Sequence, residues 1–457
     1  MISFGPVKRL GFCVGAVCLL LMSCSNQKLD SGAWSPPQEV ARSSDSLSSG
    51  FTLYRWNGSL LALGGNAETA TARGFEQDAN AWKTLSTNDL GWLPSAADRH
   101  ENGLLIARAT ILRHSVESEF TIGSLAPDGR FKSSTTTPLL LQQAALFPNA
   151  PPNLEINASE RPGQLWFAGG VLDGLEIRVP YSITGEPVER KGHQVGLRGD
   201  LATSANGVFA SSDGGRTWRS EPIPYKWSES HGMCRTKAYY YYFAVTGLAG
   251  LEPFELWYSR CPVESASWSH PETLNKSVAR KLSERLHAVA EDDTVHLCWL
   301  DARHEKTRVS LVRPLAGNYE VAYCRRKDSD QGWSKDVILS RGQRWAYAPS
   351  ISVEQDKLVV AWAGAKADRE GRNEWNATDI YFVTSKDGGI TWTKPVQVTD
   401  GFKNGVTSGR PQVALHRGVI HLFYIQGKLN YKQVSSGMVK LNQPSWPVYY
   451  QQRPFPD

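Results

Sequence analysis

Two eight-residue segments far apart in the chain constrain its fold more than any other feature. Ser211-Ser212-Asp213-Gly214-Gly215-Arg216-Thr217-Trp218 and Ser385-Lys386-Asp387-Gly388-Gly389-Ile390-Thr391-Trp392 agree at six of their eight positions. Asp followed by two glycines encodes a tight hairpin. The glycines supply positive φ without a steric penalty, and the carboxylate accepts nearby backbone N–H groups. The Trp then opens the next strand and packs against a neighbouring hairpin. A turn of such specific chemistry, met twice, predicts a repeated sheet unit rather than a single hairpin.

The rest of the chain carries fainter copies. Strand-like runs such as Phe51–Tyr54, Leu60–Leu63, Val295–Trp299 and Leu358–Trp362 alternate with turn residues, and no amphipathic helix stands out. The 40 Gly and 25 Pro suit many short turns. Asp328 precedes Trp333 at the offset of the full segments, with Ser329-Asp330 in place of the glycines. Trp268, Trp82 and Trp34 stand where a strand would start after an eroded turn, and Phe131 takes the place of Trp in the least clear stretch, residues 93–150. These marks recur at regular intervals, apart from an insertion around 171–205.

The S-x-D-G-G-x-T-W pattern resembles the Asp-box, or BNR repeat, of sialidases and related proteins. The resemblance implies an all-β fold, a β-propeller of four-stranded Asp-box blades over residues 34–440, followed by a tail at 441–457. Seven blades are preferred and six remain the alternative. In the seven-blade count, Trp34 to Val40 completes the last blade beside Pro411–Leu415, Val419–Tyr424 and Leu429–Val434, which leaves no open sheet edge. The box occupies the hairpin between the third and fourth strands. Ser211, Asp213, Gly214, Gly215 and Trp218, with Ser385, Asp387, Gly388, Gly389 and Trp392, are therefore expected to be structural.

Residues 1–23 read as a leader. Lys8 and Arg9 precede an apolar run, Leu10 to Met22, too short to span a membrane comfortably. It ends in Leu21-Met22-Ser23-Cys24, which resembles a bacterial lipobox. The resemblance implies lipidation at Cys24, a tether over 24–33 and a place on the cell envelope, at the outer membrane if the cell is Gram-negative. Export leaves Cys234, Cys261, Cys298 and Cys324 in an oxidising compartment, where disulfides are expected. Of three connectivities, Cys234–Cys261 and Cys298–Cys324 are preferred because each closes within one blade. The formal charge of +5 suits an anionic ligand, but no basic run points to nucleic acid.

Successive turns of a four-stranded meander alternate between the two ends of a sheet. The functional residues are therefore expected opposite the box hairpins. Arg285, Arg344 and Arg410 precede successive first strands. Asp301 and Arg303, and Asp368 and Arg369, follow second strands, and Tyr347 and Tyr424 are expected nearby. Sialidases are similar in holding a substrate carboxylate with arginines, whose guanidinium forks bind it bidentately, and in using a Tyr–Glu nucleophile and an Asp acid/base. The chain departs from that pattern in one respect. The nearest R-I-P-like string, Arg178-Val179-Pro180, lies in the insertion and not before a clear inner strand, so the nucleophile and the acid are not assigned by motif.

His287, His296, His416 and His421 lack metal-ligand spacing and read as packing residues; no metal or cofactor is expected. Tyr239 to Tyr242 alternate across a strand, so one pair is expected between blades and the other outside. The functional expectation is an exported lipoprotein that recognises an extracellular ligand, carbohydrate first. The alternatives are an exo-sialidase-type glycoside hydrolase and an envelope scaffold that binds protein partners.

Overall fold

The computed structural model describes residues 33–43, the strands that lie between 51 and 221, and residues 230–246, 254–265, 267–278, 286–304, 319–366, 378–401, 406–428 and 446–456. Every regular element among them is a β-strand, and all pairing is antiparallel.

After β1 (Gln38–Ser43), the strands fall in fours that pair in sequence order. The first set is β2 (Phe51–Trp56), β3 (Ser59–Gly65), β4 (Ala70–Glu76) and β5 (Ala81–Ser86). The second is β6 (Ala96–His100), β7 (Gly103–Ile111), β8 (Glu117–Leu125) and β9 (Phe131–Leu140). Then come β10 (Leu154–Ala158), β11 (Leu165–Gly170), β12 (Asn206–Ser211) and β13 (Arg219–Glu221). The next sets are β14 (Ser230–Arg235), β15 (Tyr239–Thr246), β16 (Phe254–Pro262) and β17 (Glu272–Val278), and β18 (Leu286–Glu291), β19 (Thr294–Asp301), β20 (Glu320–Lys327) and β21 (Val337–Ile338). One bridge, Val278 to Asp301, fuses these two into an eight-stranded sheet. The sixth set is β22 (Gln343–Glu354), β23 (Lys357–Lys366), β24 (Asp379–Ser385) and β25 (Val396–Gln397).

The last sheet joins the two ends of the chain. Its order is β26 (Val406–His416), β27 (Val419–Lys428), β28 (Trp446–Pro454) and then β1. Ser35 N donates to Gln452 O at 2.8 Å, and Gln451 Nε2 donates to Ser35 O at 2.7 Å. Residues 441–457 are therefore not a tail: Trp446–Pro454 is the third strand of this sheet, the place expected for Leu429–Val434, which lies outside the described residues. A strand from the far end of the sequence fits there because its alternating residues are covered on both faces, Val448 and Tyr450 buried on one and Tyr449 packed against the Phe382 and Val413 core on the other.

First strands neighbour one another in succession. β2 lies against β6, β6 against β10, and so on through β14, β18 and β22 to β26, which returns to β2. Between β22 and β26 the contact is specific. Ser350 and Ser352 accept the backbone N–H of Val413 and Leu415, and the Glu354 carboxylate takes those of Arg417 and Gly418. His287 accepts the N–H of Ile351 in the same manner from β18. First strands too far apart to share a ladder are thus joined by short polar side chains that satisfy a neighbour's backbone.

Apolar cores lie between consecutive sheets. One holds Leu300, Tyr323, Ile351, Val360 and Trp362, and the next holds Phe382, Val413, Leu422 and Tyr424. The tyrosine run departs from expectation. Tyr241 packs with Phe243 and Cys234 on one face of β15, while Tyr240 and Tyr242 pack with Met233 and Cys261 on the other, and all three are fully buried. Neither pair faces outward, because both faces of this sheet are covered.

The same alternation removes the expected disulfides. Cys234 lies opposite Tyr241 and Cys261 opposite Tyr240, hence on opposite faces of β15's sheet; Cys298 lies opposite Tyr323, whereas Cys324 lies opposite Leu297. All four are buried free thiols. Cross-strand neighbours on opposite faces have Cβ vectors pointing apart and cannot be bridged.

Candidate functional site

The two ends of the sheets have different chemistry. At one end lies the hairpin between β24 and β25, which carries the second full box. Asp387 Oδ1 accepts from Ile390 N at 3.0 Å, Thr391 N at 2.9 Å and Ser385 Oγ at 2.8 Å, and its Oδ2 accepts from Thr391 Oγ1 at 2.5 Å. Slight burial pulls the carboxyl upward, but the bonds from Thr391, Ser385 and Ile390 outweigh it and hold the pKa at about 2. Gly388 and Gly389 adopt φ of 65° and 85°. A Cβ on Gly389 would collide with the Tyr323 hydroxyl, so the second glycine is also required by close approach.

Trp392 meets Tyr323 of the preceding sheet edge-on, with centroids 4.8 Å apart. The weaker marks repeat this contact. Trp333 stands against Tyr258 at 5.3 Å and Trp34 against Phe382 at 5.2 Å, each partner lying on the third strand of the preceding sheet. Trp82 and Phe131 fall in β5 and β9, and Trp268 precedes β17; all three are fourth strands. Residues 212–218 of the first box lie outside the described residues, as do Asp213, Gly214, Gly215 and Trp218. The box nevertheless connects β12, which ends at Ser211, to β13, the third and fourth strands of their sheet. Both boxes thus occupy one topological place, and Ser385, Asp387, Gly388, Gly389, Thr391 and Trp392 of the second each have a structural task.

At the opposite end, the first strands of two sheets carry the same irregularity. In β22, Ala348-Pro349 bulges between the pairs Tyr347–Ala363 and Ser350–Ala361; in β26, Arg410-Pro411 does so between Gly409–Ile425 and Gln412–Phe423. Ala348 and Arg410 have φ of 50° and 49°, a conformation that costs a non-glycine residue about 1–3 kcal/mol. This register shows that the three arginines are not equivalent. Arg410 sits in the bulge, whose counterpart in β22 is Ala348, while Arg344 lies four residues earlier. Arg285, Asp368 and Arg369 lie outside the described residues, as does Cys24.

The described candidate catalytic groups are occupied. Asp301 is fully buried at the end of β19 and accepts from Arg303 N, Nε and Nη2 at 2.9, 2.8 and 2.7 Å, from Asn275 Nδ2 at 3.2 Å and from Trp299 Nε1 at 3.2 Å. The Arg303 guanidinium, bonded to Asp301 and also to Asp336, is held above its ordinary pKa. Tyr424 is not at the rim. It is opposite the bulge, where Trp362 stands in β23; it is 2% exposed, donates to Gln451 Oε1 at 2.9 Å and is pushed up by burial. Tyr347 does reach this end, its hydroxyl 3.0 Å from Thr378 Oγ1 and close to Gly409. Thr378 Oγ1 in turn donates to Ser408 O at 2.7 Å.

Sequence reasoning missed one Tyr–Glu pair. Tyr258 donates to Glu272 Oε2 at 2.6 Å and accepts from Arg326 Nη1 at 2.7 Å. It is sealed beneath Trp333, and burial followed by the Glu272 bond raises its pKa, the reverse of what a nucleophile requires. No register-based signal marks it in the sequence, since the pair is made across β16 and β17. Among the described residues no cluster of His, Cys, Asp or Glu fits a metal ion. His296 and His421 are buried, with Nδ1 2.8 Å from the Tyr323 and Tyr450 hydroxyls, and burial lowers each to about 3.

No family model matches the chain, and no curated protein matches it in sequence. Among solved structures, a point mutant of Synechocystis apocarotenoid oxygenase is 15% identical over 76% of this chain and 71% of its own, with a TM-score of 0.42. An α-L-arabinofuranosidase from Fusarium graminearum, in complex with an iminosugar inhibitor, is 10% identical over 66% of this chain and 92% of its own, with a TM-score of 0.38.

Proposed function

We propose that this chain is an exported lipoprotein whose sheets are the blades of a seven-bladed, sialidase-like β-propeller, and that it binds an anionic extracellular ligand, carbohydrate first, without hydrolysing it. Support for the propeller comes from strands that fall in fours, from first strands that neighbour one another in a closed succession, and from β1 completing the sheet of β28. Radial sheets closed by strands from both ends of a chain leave only short edges.

The observation that carries binding over hydrolysis is the state of Asp301. A glycosidase acid must exchange a proton with substrate, which requires a carboxyl that substrate can reach. Asp301 is completely buried and accepts five hydrogen bonds. Tyr424 is likewise committed to a core, and Arg410, set in the bulge of β26 at the end opposite the box hairpins, is the cation we assign to the anion.

The anchor fits this assignment. The chain enters the last sheet at Ser35 beside Gln452, at the box end. Residues 25–33 of the tether extend at most about 3.3–3.6 Å each. Lipidation of Cys24 would therefore hold the box end within about 30 Å of the membrane. A soluble form that starts at Ser25 tests the reading. The expected result is binding to acidic glycans on an array, lost in Arg410→Ala, with no turnover of a fluorogenic sialoside. Turnover, or an array without acidic hits, overturns it. Incorporation of labelled palmitate by the full chain, abolished in Cys24→Ala, tests the anchor separately.

A further inference from the structure

A cleft of about 880 Å3 opens at the outer rim between the β18–β21 and β22–β25 sets, and its lining does not include Arg410. One wall is β21 and the residues after it, Val337 to Gln343; the other is the box hairpin from Ile390 to Pro395. Its volume lies in the range of specific binding sites. Three features single it out. Its lining contains two cations, Arg341 and Lys394, and no acidic residue. Both are exposed and, among the described residues, neither has a hydrogen bond or ion pair. Finally, the exposed large hydrophobic residues among those described, Ile390 at 62% and Val396 at 43%, both belong to this hairpin and the strand that follows it.

We infer that this cleft docks an extended acidic peptide segment of a partner protein, laid along the edge of β21. The chemistry favours peptide over sugar. Val337, Ile338, Leu339, Ile390 and Pro395 give the lining an aliphatic character. Two of its neutral polar side chains are engaged: Gln343 Oε1 accepts from Trp362 Nε1 at 2.6 Å, and Thr393 Oγ1 accepts from Thr384 N at 3.0 Å. Trp392 turns edge-on to Tyr323 in the core rather than offering a free stacking platform. A sugar needs many polar partners, whereas a strand gains main-chain bonds from an open sheet edge and places alternate side chains in apolar pockets. β21 is that edge: it is two residues long and pairs on one side only, with β20. Carboxylates on the peptide would meet Arg341 at one end of the cleft and Lys394 across it.

The test is selection from a random ten-residue peptide library displayed on phage, with the soluble chain starting at Ser25 as bait. The expected result is enrichment of peptides that alternate aliphatic and acidic residues. Their affinity, read by fluorescence anisotropy, should fall at least tenfold in Arg341→Glu/Lys394→Glu and several-fold in Ile390→Ser, while Arg410→Ala binds them unchanged. Arg341, Lys394 and Ile390 are exposed, and a thermal melt of each variant matching the parent verifies that the fold persists. Selection that returns no peptides, basic peptides, or peptides indifferent to the charge-reversed variant overturns the proposal. So does competition for the cleft by an oligogalacturonate in place of peptide. Because the glycan-array result depends on Arg410 and this one does not, the two readings fail independently.

Discussion

Asp387 and Asp301 are both aspartates saturated with hydrogen bonds, yet they are built in opposite ways. Asp387 lies in the exposed hairpin, and its partners are Ser385, Ile390 and Thr391, all within four residues. Asp301 is fully buried and draws on Asn275 of one four-strand set and on Trp299 and Arg303 of the next, 26 residues away in the first case. The first carboxylate shapes its own turn. The second locks the single bridge by which two sheets fuse, since its residue is also the partner of Val278. A local motif therefore survives in recognisable sequence, whereas a carboxylate that joins sheets leaves no pattern, although Asp387 accepts four hydrogen bonds and Asp301 five.

The largest expected effect comes from breaking the assembled site. Asp301→Ala strands a buried part of the Arg303 charge together with the Trp299 and Asn275 donors. It should cost about 3–5 kcal/mol in urea unfolding. A loss below ~1 kcal/mol would make Asp301 as local in effect as Asp387. Next is Gly389→Ala, which forces a side chain into positive φ and into Tyr323. A loss of about 2–3 kcal/mol is expected, and Gly389→Ala combined with Tyr323→Phe should recover part of it because the clash is with the hydroxyl.

Asp387→Ala should cost less, about 1–2 kcal/mol, because its hydrogen bonds are solvent-exposed and charge-assisted. Its folded pKa of about 2 lies below the ordinary carboxylate value near 3.9. Its contribution is therefore complete above about pH 4 and disappears as the pH falls toward 2. An acid titration of Asp387→Ala stability, subtracted from that of the parent, should show this window. His296 and His421 act higher on the scale. Each has a folded pKa near 3 against an ordinary 6.5, so the unfolded chain binds protons that the folded chain refuses. Stability should be full above about pH 6.5 and fall below it, by roughly 2 kcal/mol per histidine at pH 5. A stability curve flat between pH 7 and 5 would contradict their burial. The smallest effect is the absence of one: reductant should leave the melting temperature unchanged, since Cys234, Cys261, Cys298 and Cys324 are free.

Much of the architecture was legible because it is encoded locally. The Trp marks at 34, 82, 131, 268, 333 and 392, with Phe at 131, each fall in or just before a fourth strand, as the hairpin chemistry implied. The site was less legible. Tyr424 was read as a rim residue, but its place opposite a bulge is known only from the register of β26 on β27. The prolines of the two bulges, Pro349 and Pro411, are visible in the sequence, but which residue of the partner strand they displace is not. The disulfide expectation failed for a related reason: sequence proximity within a set says nothing of which face a cysteine takes.

The sequence alone determined the repeating hairpin, because a turn of Asp, two glycines and Trp satisfies its own hydrogen bonds within eight residues. The tertiary structure alone decided which aspartate is buried, which tyrosines are cores, and that β28 stands between β27 and β1. Those outcomes depend on partners tens to hundreds of residues away, and a contact of that range is fixed only when the sheets pack and exclude water from between them.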